Sequence, residues 1–198
     1  MTACTKTVRI ALAAGMVFLT AAYCGKAPEE KPDKGRQPMK EHTNIGALFP
    51  AVTAKNLEGT MATVPDDARG KVTLVAVAFL QQNQGQLDSW LNPFVETFGS
   101  RDDVTFYEIP MISSGYIFMK PMIDMGMRGG LPQFKHKHVV TMYGDVRRYT
   151  DILGIDPRYG HAFLLDREGA VRWQGRGYAT PEALRDLVDT AEKLSAAQ

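Results

Sequence analysis

Cysteine is scarce in this 198-residue chain, which contains only Cys4 and Cys24. Two cysteines cannot supply a paired CxxC zinc site or the disulfide framework of a small secreted protein. The body that follows residue 44 has no thiol at all. Cysteine nucleophiles and thiol–disulfide exchange are therefore excluded as chemistry of its folded part.

Excess charge is also absent, since 23 Lys and Arg face 22 Asp and Glu and the formal net charge is +1. Binding to DNA or RNA through bulk electrostatics requires a strongly basic domain, so nucleic acid is not an expected partner. Apolar residues make up 44% of the chain, which is the composition of an ordinary globular protein.

Residues 1–23 have the features of an export signal. Lys6 and Arg9 precede an apolar stretch over residues 10–22. This stretch is shorter than the roughly 20 apolar residues that span a bilayer comfortably. The chain is therefore predicted to be exported.

Cys24 follows this signal directly, and the sequence Leu-Thr-Ala-Ala-Tyr-Cys resembles a bacterial lipoprotein signal. In such proteins the cysteine becomes the lipidated first residue, which predicts a protein anchored to the membrane and facing the periplasm or the cell exterior. Tyr23 departs from the pattern, because small residues are expected there. Cleavage after Ala22 with release of a soluble periplasmic protein, and an uncleaved anchor, are the alternatives.

Residues 24–44 alternate charged residues with Pro28, Pro32 and Pro38 and contain almost nothing apolar. Such a composition cannot bury enough apolar surface to offset the entropy of ordering. It predicts a disordered tether that precedes one domain over residues 45–198.

The body predicts an α/β domain. Residues 71–80 form a nearly continuous apolar run, typical of a central strand buried on both faces. Apolar residues at helical spacing over 87–98 predict a helix after it, with Pro93 as a kink. The other predicted elements are a strand over 104–112, a helix over 116–127, a strand over 138–143, a helical segment over 146–153, a hairpin of 161–165 with 170–174, and a last helix capped by Thr180.

This order of elements resembles the thioredoxin fold, with the additional strand and helix of peroxiredoxin-like and TlpA-type members. A redox-active member needs a thiolate at the N-terminus of its first helix, where the helix dipole lowers the pKa of the thiol. Pro93, taken as the helix proline, places this motif near residues 85–88, which contain no sulfur. Gly160 stands where a cis-proline precedes the hairpin. The fold is therefore predicted without CxxC or cis-Pro.

Other catalytic motifs are missing as well. The sequence contains neither a strained nucleophile elbow nor a Gly-rich phosphate loop of the GxxxxGKS kind. We therefore expect no enzyme activity and no cofactor.

Several stretches resemble the family of the mitochondrial ATP synthase assembly factor, which escorts the proton-channel subunit of the membrane sector, and its bacterial relatives. They are residues 106–112 (FYEIPMI), 128–132 (RGGLP) followed by 136–138 (HKH), and 159–166 (YGHAFLLD) leading into 171–179 (VRWQGRGYA). The resemblance implies a thioredoxin-like platform that acts as a membrane-associated chaperone. This chain carries what resembles a bacterial export signal, in contrast to the mitochondrial protein. The resemblance therefore predicts the role of a chaperone but not the identity of the subunit that it escorts.

The same stretches provide the candidate partner-contacting residues. Arg128 and Arg172 belong to a locally basic stretch, which is either ordinary surface charge or an interface with lipid head groups or an acidic partner. His136 and His138 lie beside two lysines, as a solvated polar edge or as contacts for a partner or anionic lipid. Trp173 alternates with Arg172 along a strand, so it belongs either to the core or to an interface.

Methionines crowd the predicted second helix, and three interpretations are open. Met119 and Met122 lie on the helix face predicted to pack on the sheet, which favours core packing. Alternatively, an exposed methionine surface would bind an apolar client. Thioether sulfurs also bind Cu(I), so Met119, Met122 and Met125 with His136 and His138 form a candidate metal site.

The sequence thus predicts a non-catalytic, thioredoxin-like, membrane-tethered protein that acts by binding, as an assembly factor or chaperone for a membrane complex. Its partner would be a subunit of that complex. The alternatives are a periplasmic Cu(I)-binding or delivery protein that uses the Met and His ligands, and a redox-inactive peroxiredoxin-like partner of an oxidoreductase.

Overall fold

The computed structural model describes residues 43–197. The predicted export signal, Cys24 and nearly all of the predicted tether lie outside these residues. Asn44, the last residue assigned to the tether, is 6% exposed and donates from Nδ2 to the carbonyl of Leu153 at 2.9 Å. The folded part therefore already includes Asn44.

Seven strands and four α-helices make up the described part. In chain order they are β1 (Val52–Lys55), β2 (Met61–Val64), β3 (Val72–Ala78), α1 (Gln84–Phe98), β4 (Val104–Ser113), α2 (Lys120–Gly130), β5 (Met142–Gly144), α3 (Arg147–Leu153), β6 (His161–Leu165), β7 (Val171–Arg176) and α4 (Pro181–Ala196). The pair β1–β2 forms an antiparallel hairpin that the sequence analysis missed. The other strands form one mixed sheet in the order β5-β4-β3-β6-β7.

The central strand is β3, and all seven of its residues are buried. It runs parallel to β4 and antiparallel to β6. Leu74 and Ala76 belong to the core on one face of the sheet, and Val75 and Val77 belong to the core on the other face. A strand covered on both faces requires a continuous apolar run, so the prediction for this segment is confirmed.

Helices α1 and α4 cover one face of the sheet, where Trp90 and Phe94 pack with Leu164. The hairpin β1–β2 and α3 cover the other face, around Phe49 and Phe163. Thr180 caps α4 as predicted, because its Oγ1 accepts a hydrogen bond from the backbone N–H of Ala183 at 3.2 Å.

The segment predicted as one helix over residues 116–127 is divided. Ser114–Met119 is a 3-10 helix, and α2 begins only at Lys120. Pro121 explains the division, because its ring would clash with the carbonyl four residues earlier if the α-helix began before it. At the first turn of α2 the proline is tolerated.

Helix α2 contains no buried residue. Met122 is 58% exposed and Met125 is 66% exposed, so the prediction that this methionine face packs on the sheet is wrong. The half-buried apolar residues of the segment are Met119, Ile123 and Met127, which lie at i, i+4 and i+8. The side of the helix that faces the protein is therefore rotated away from Met122.

Two further differences concern the segment between α2 and α3. Gln133–His138 is a 3-10 helix, and the strand predicted over 138–143 is reduced to the three residues of β5. In residues 43–197, no helix combines the length and the apolar character that crossing a bilayer would require.

Candidate functional site

The N-terminus of α1 is where a redox-active protein of this fold would carry its thiolate. The helix begins at Gln84, and its first turn contains Gly85 and Gln86. The Oε1 atom of Gln86 accepts a hydrogen bond from the backbone N–H of Gly160 at 2.6 Å. A side-chain amide thus links the start of α1 to the start of β6, at a position where redox chemistry would need sulfur.

Gly160 shows why no proline precedes the hairpin here. A Cβ atom at this position would lie 2.9 Å from Cδ2 of Leu87. Proline would in addition lack the N–H that Gln86 accepts. The close approach of the two segments therefore excludes the proline of redox-active members, and the fold prediction without CxxC or cis-Pro at this site is confirmed.

A buried polar cluster lies behind this helix terminus. Glu108 on β4 is 2% exposed, and its Oε1 accepts a hydrogen bond from Nε2 of Gln84 at 3.1 Å. Burial raises the pKa of the Glu108 carboxyl above its usual range, and the nearby Asp88 acts in the same direction. Lys135 is also buried and donates from Nζ to Oδ1 of Asn92 at 3.0 Å. These groups stabilise α1 against the sheet and supply no nucleophile.

An exposed apolar surface lies on the segment from the 3-10 helix Ser114–Met119 to α2. We call it the apolar face, and it consists of Tyr116, Ile117, Phe118, Met122 and Met125. The exposed fractions of these residues range from 56% for Tyr116 to 77% for Phe118. Met122 and Met125 are three residues apart on α2, a spacing that places their side chains on one side of the helix, and Phe118 lies in the 3-10 helix that leads into it.

The charged residues of α2 are held against the body. Lys120 pairs with Asp124 at 3.2 Å, and the hydroxyl of Tyr143 donates to Oδ1 of Asp124 at 2.7 Å. The Lys120 ammonium also lies 4.1 Å from the centre of the Tyr143 ring. Burial, together with Asp124, raises the pKa of Tyr143 above its usual range. These contacts turn the polar side of α2 toward β5 and leave the apolar face outward.

Three of the predicted partner-contacting residues occupy one region. Nε of Arg128 donates to the carbonyl of Leu57 at 2.6 Å, and the backbone N–H of Leu57 donates to the carbonyl of His136 at 3.1 Å. The ring of His138 stacks on Phe106 with centroids 4.2 Å apart. The C-terminal end of α2 and the 3-10 helix after it are thus fastened to the body.

The other two lie on β7, which is separated from β4 in the sheet by β3 and β6. Arg172 pairs with Asp166 at 2.6 Å. Trp173 is 8% exposed and packs edge-to-face with Trp90. Its indole N–H donates to Asp186 at 2.9 Å, so Trp173 is a core residue. The five residues do not form one surface, and their role in partner binding stays a prediction.

The residues of the candidate metal site lie in different surroundings. Met122 and Met125 are exposed on α2, whereas Nε2 of His136 lies 3.0 Å from the carbonyl of Leu131. Within residues 43–197, no group of three or more His, Cys, Asp or Glu side chains is placed to hold a metal ion. A Cu(I) site that uses thioethers stays a prediction.

Sequence reasoning missed the most exposed part of this region. Tyr116, Ile117 and Phe118 were assigned to a regular helix, although three consecutive apolar residues ahead of Pro121 do not fit one buried helical face. A run of consecutive apolar residues that no single face can bury is a signal of exposure.

The fold and the thiol-free helix terminus define a class, a thioredoxin-like α/β domain without redox cysteines. Similar solved structures share this fold at low sequence identity. DsbE, a thiol:disulfide interchange protein of Chlorobium tepidum, is 15% identical with a TM-score of 0.54, over 78% of this chain and 100% of that one. BsSco, of the Sco family of cytochrome c oxidase assembly proteins, is 14% identical with a TM-score of 0.55, over 82% and 100%. The exposed lipoprotein thioredoxin Etrx1 of Streptococcus pneumoniae strain TIGR4 is 14% identical with a TM-score of 0.51, over 73% and 99%.

The family model of the ATP10 protein matches residues 43–194. The chain therefore belongs to this family, and the resemblance to the ATP synthase assembly factors is confirmed. No curated protein matches the chain. Membership supports a role of the assembly-factor kind, with a protein of a membrane complex as the class of partner.

Proposed function

We propose that this chain is a non-catalytic assembly factor that binds an apolar segment of a membrane-complex subunit through the apolar face. The observation that carries the proposal is the exposure of five large apolar residues on one segment of a protein from an assembly-factor family. Large exposed apolar side chains concentrated on one segment are a feature of protein–protein interaction sites. The absence of thiols from residues 43–197 supports binding rather than redox catalysis.

The chemistry of the face suits an apolar client. Phe118 and Tyr116 supply large rigid side chains of the kind that anchor interfaces. Met122 and Met125 are unbranched and polarizable, so they adapt to irregular apolar surfaces. Because Asp124 and Lys120 pair with each other against β5, neither of these two residues presents an isolated charge to a docking client. A membrane-spanning segment that has not yet been assembled presents such a surface.

The experiment is site-specific photo-crosslinking in the native cell, with a photoreactive amino acid at Phe118. The matched control places the same amino acid at Ile152, which is 49% exposed on α3. We expect an adduct with a membrane-complex subunit from position 118 and none from position 152. Equal adducts from both positions, or none from 118, would contradict the proposal. An oxidoreductase in the adduct would favour the alternative of a redox-inactive partner.

Tethering is a separate part of the proposal. Lipidation of Cys24 would hold the domain at the membrane where its client is inserted. Because several acyl chains hold a protein firmly whereas one binds marginally, Cys24→Ser should release the protein to the soluble fraction or leave its signal uncut. Normal processing with unchanged membrane fractionation would show that the cysteine is incidental.

The exposure of Met122 and Met125 also favours a second candidate function, Cu(I) binding. The triple Met→Leu variant at positions 119, 122 and 125 separates the two functions, since leucine keeps the apolar volume and removes the thioether ligands. Client binding predicts that crosslinking from position 118 survives in this variant. A stoichiometric Cu(I) complex of the wild type that withstands a competing chelator and is lost in the variant would favour copper delivery.

A further inference from the structure

Methionine supplies all of the sulfur in residues 43–197, because no cysteine lies there. Seven methionines occur in this part of the chain, and three of them are exposed. Met61 on β2 is 56% exposed, and the other two are Met122 and Met125 of the apolar face. The apolar face therefore holds most of the exposed sulfur of the described domain.

A thioether that solvent reaches is open to oxidation by peroxides. Its sulfur attacks one oxygen of hydrogen peroxide, the O–O bond breaks, a sulfur–oxygen bond forms and water leaves. The two electrons that the sulfur gives up reduce the peroxide. Thiolates are the other sulfur groups that react with peroxide. Because residues 43–197 contain no thiol, the exposed thioethers are the sulfur groups that meet the oxidant first.

Oxidation of Met122 and Met125 should leave the fold in place. Helix α2 has no buried residue, so neither methionine is part of the core. On its polar side the helix is held by the pair of Lys120 with Asp124 at 3.2 Å and by the hydroxyl of Tyr143. No thioether takes part in these contacts. The modified side chains would therefore still be presented on an intact helix.

The same reaction changes what the apolar face binds. A sulfoxide is polar and carries a hydrogen-bond acceptor, whereas the thioether is apolar. An apolar client provides no donor, so docking would bury each sulfoxide oxygen without a partner. Burial of an unpaired polar group lowers affinity by about tenfold or more. With two such groups on α2, the oxidised face should no longer hold an apolar segment.

We infer that Met122 and Met125 are a modification site, a pair of thioethers whose oxidation by peroxide prevents the apolar face from holding its client. The inference rests on the proposed function and adds the regulation of that function. A docked client covers both side chains, so oxidation acts while the face is free and blocks the next docking. Methionine sulfoxide reductases reverse the change, because two thiols become a disulfide and the sulfoxide oxygen leaves as water.

Peptide mapping of the full-length protein by mass spectrometry tests the chemistry. After brief treatment with hydrogen peroxide, Met122 and Met125 should be oxidised about as fast as Met61, and at least about tenfold faster than the buried Met111. The urea midpoint of unfolding should stay unchanged. Oxidation of Met122 and Met125 as slow as that of Met111, or a lowered urea midpoint, would overturn the inference.

Crosslinking from position 118 in cells treated with hydrogen peroxide tests the consequence. In the otherwise wild-type chain, the yield of the client adduct should fall at least about tenfold. Met122→Leu/Met125→Leu keeps the apolar volume without an oxidisable sulfur, so its adduct should survive the treatment. The matched control Met61→Leu removes an exposed methionine outside the apolar face and should lose the adduct as the wild-type chain does.

The outcomes separate this inference from the proposed function. An adduct that survives in the wild-type chain after Met122 and Met125 are oxidised would overturn the inference and leave the proposed function standing. Equal loss of the adduct from the double leucine variant would do the same. The absence of any adduct before treatment would refute the proposed function and the inference together.

Discussion

Replacing Met122 by alanine tests whether the apolar face is open to solvent. Met122 is 58% exposed, whereas Met111 on β4 is 1% exposed and lies in the core. Full burial of such a side chain is worth about 1.5–3 kcal/mol, so the covered part of Met122 contributes about 1 kcal/mol at most. Met111→Ala removes a fully buried side chain and leaves a cavity, which costs about 2–5 kcal/mol.

Urea unfolding of the two variants measures this difference in the free energy of unfolding. We expect unchanged m-values, because neither variant alters the surface exposed on unfolding to a large extent. For a domain of this size, Met111→Ala should lower Tm by about 4–20 °C and Met122→Ala by about 4 °C or less. If Met122→Ala destabilised the protein as much as Met111→Ala, another surface would cover Met122 and the apolar face would not be free for a client.

Three further predictions concern the start of α1, the protonation of His138 and the absence of thiol chemistry. Gly160→Ala should lower the free energy of unfolding by about 1–3 kcal/mol, because the new Cβ atom would lie 2.9 Å from Cδ2 of Leu87. Gly115→Ala is the control and should be nearly neutral, because the space around its Cβ position is open. Urea unfolding measures both variants. Burial lowers the pKa of His138 from 6.5 to about 4 in the folded protein, so on acidification the unfolded chain takes up this proton at a higher pH than the folded protein does. The free energy of unfolding should therefore fall as the pH drops from 6.5 toward 4. In the variant His138→Gln the urea midpoint of unfolding should depend less on pH over this range. Because residues 43–198 contain no thiol, the purified domain should show no insulin-disulfide reduction or peroxidase activity. Activity above a boiled control would refute the assignment as a non-catalytic domain.

Much of the fold could be predicted because its signals are local. The apolar run of β3, the helical spacing in α1 and the Thr180 cap each depend on neighbours within a few residues. The hairpin β1–β2 was missed because its strands have four residues each, too few for a clear alternation.

The sequence predicted which functional groups the site lacks better than it predicted which side chains occupy the site. The lack of cysteine after residue 24 is visible in the sequence and excludes thiol–disulfide exchange by the folded part. Two side-chain hydrogen bonds are found at the start of α1 instead. One joins Gln86 to Gly160, 74 positions away, and the other joins Gln84 to Glu108, 24 positions away. No local pattern indicates such pairs, because they depend on how α1 is set against the sheet.

The methionine segment shows where sequence information ends. Periodicity indicates which residues share one side of a helix, and it placed Met119 and Met122 together. The structure separates them, since Met119 is half-buried at the end of the 3-10 helix and Met122 is 58% exposed on α2. Periodicity carries no information on which side another element covers. Pro121 begins α2 late, and Lys120 and Asp124 face Tyr143, so Ile123 turns toward the body and Met122 toward solvent. Composition and motifs predicted a thiol-free thioredoxin-like fold and a resemblance to an assembly-factor family. Burial depends on which surfaces meet in space, and it left Phe118, Met122 and Met125 on the outside.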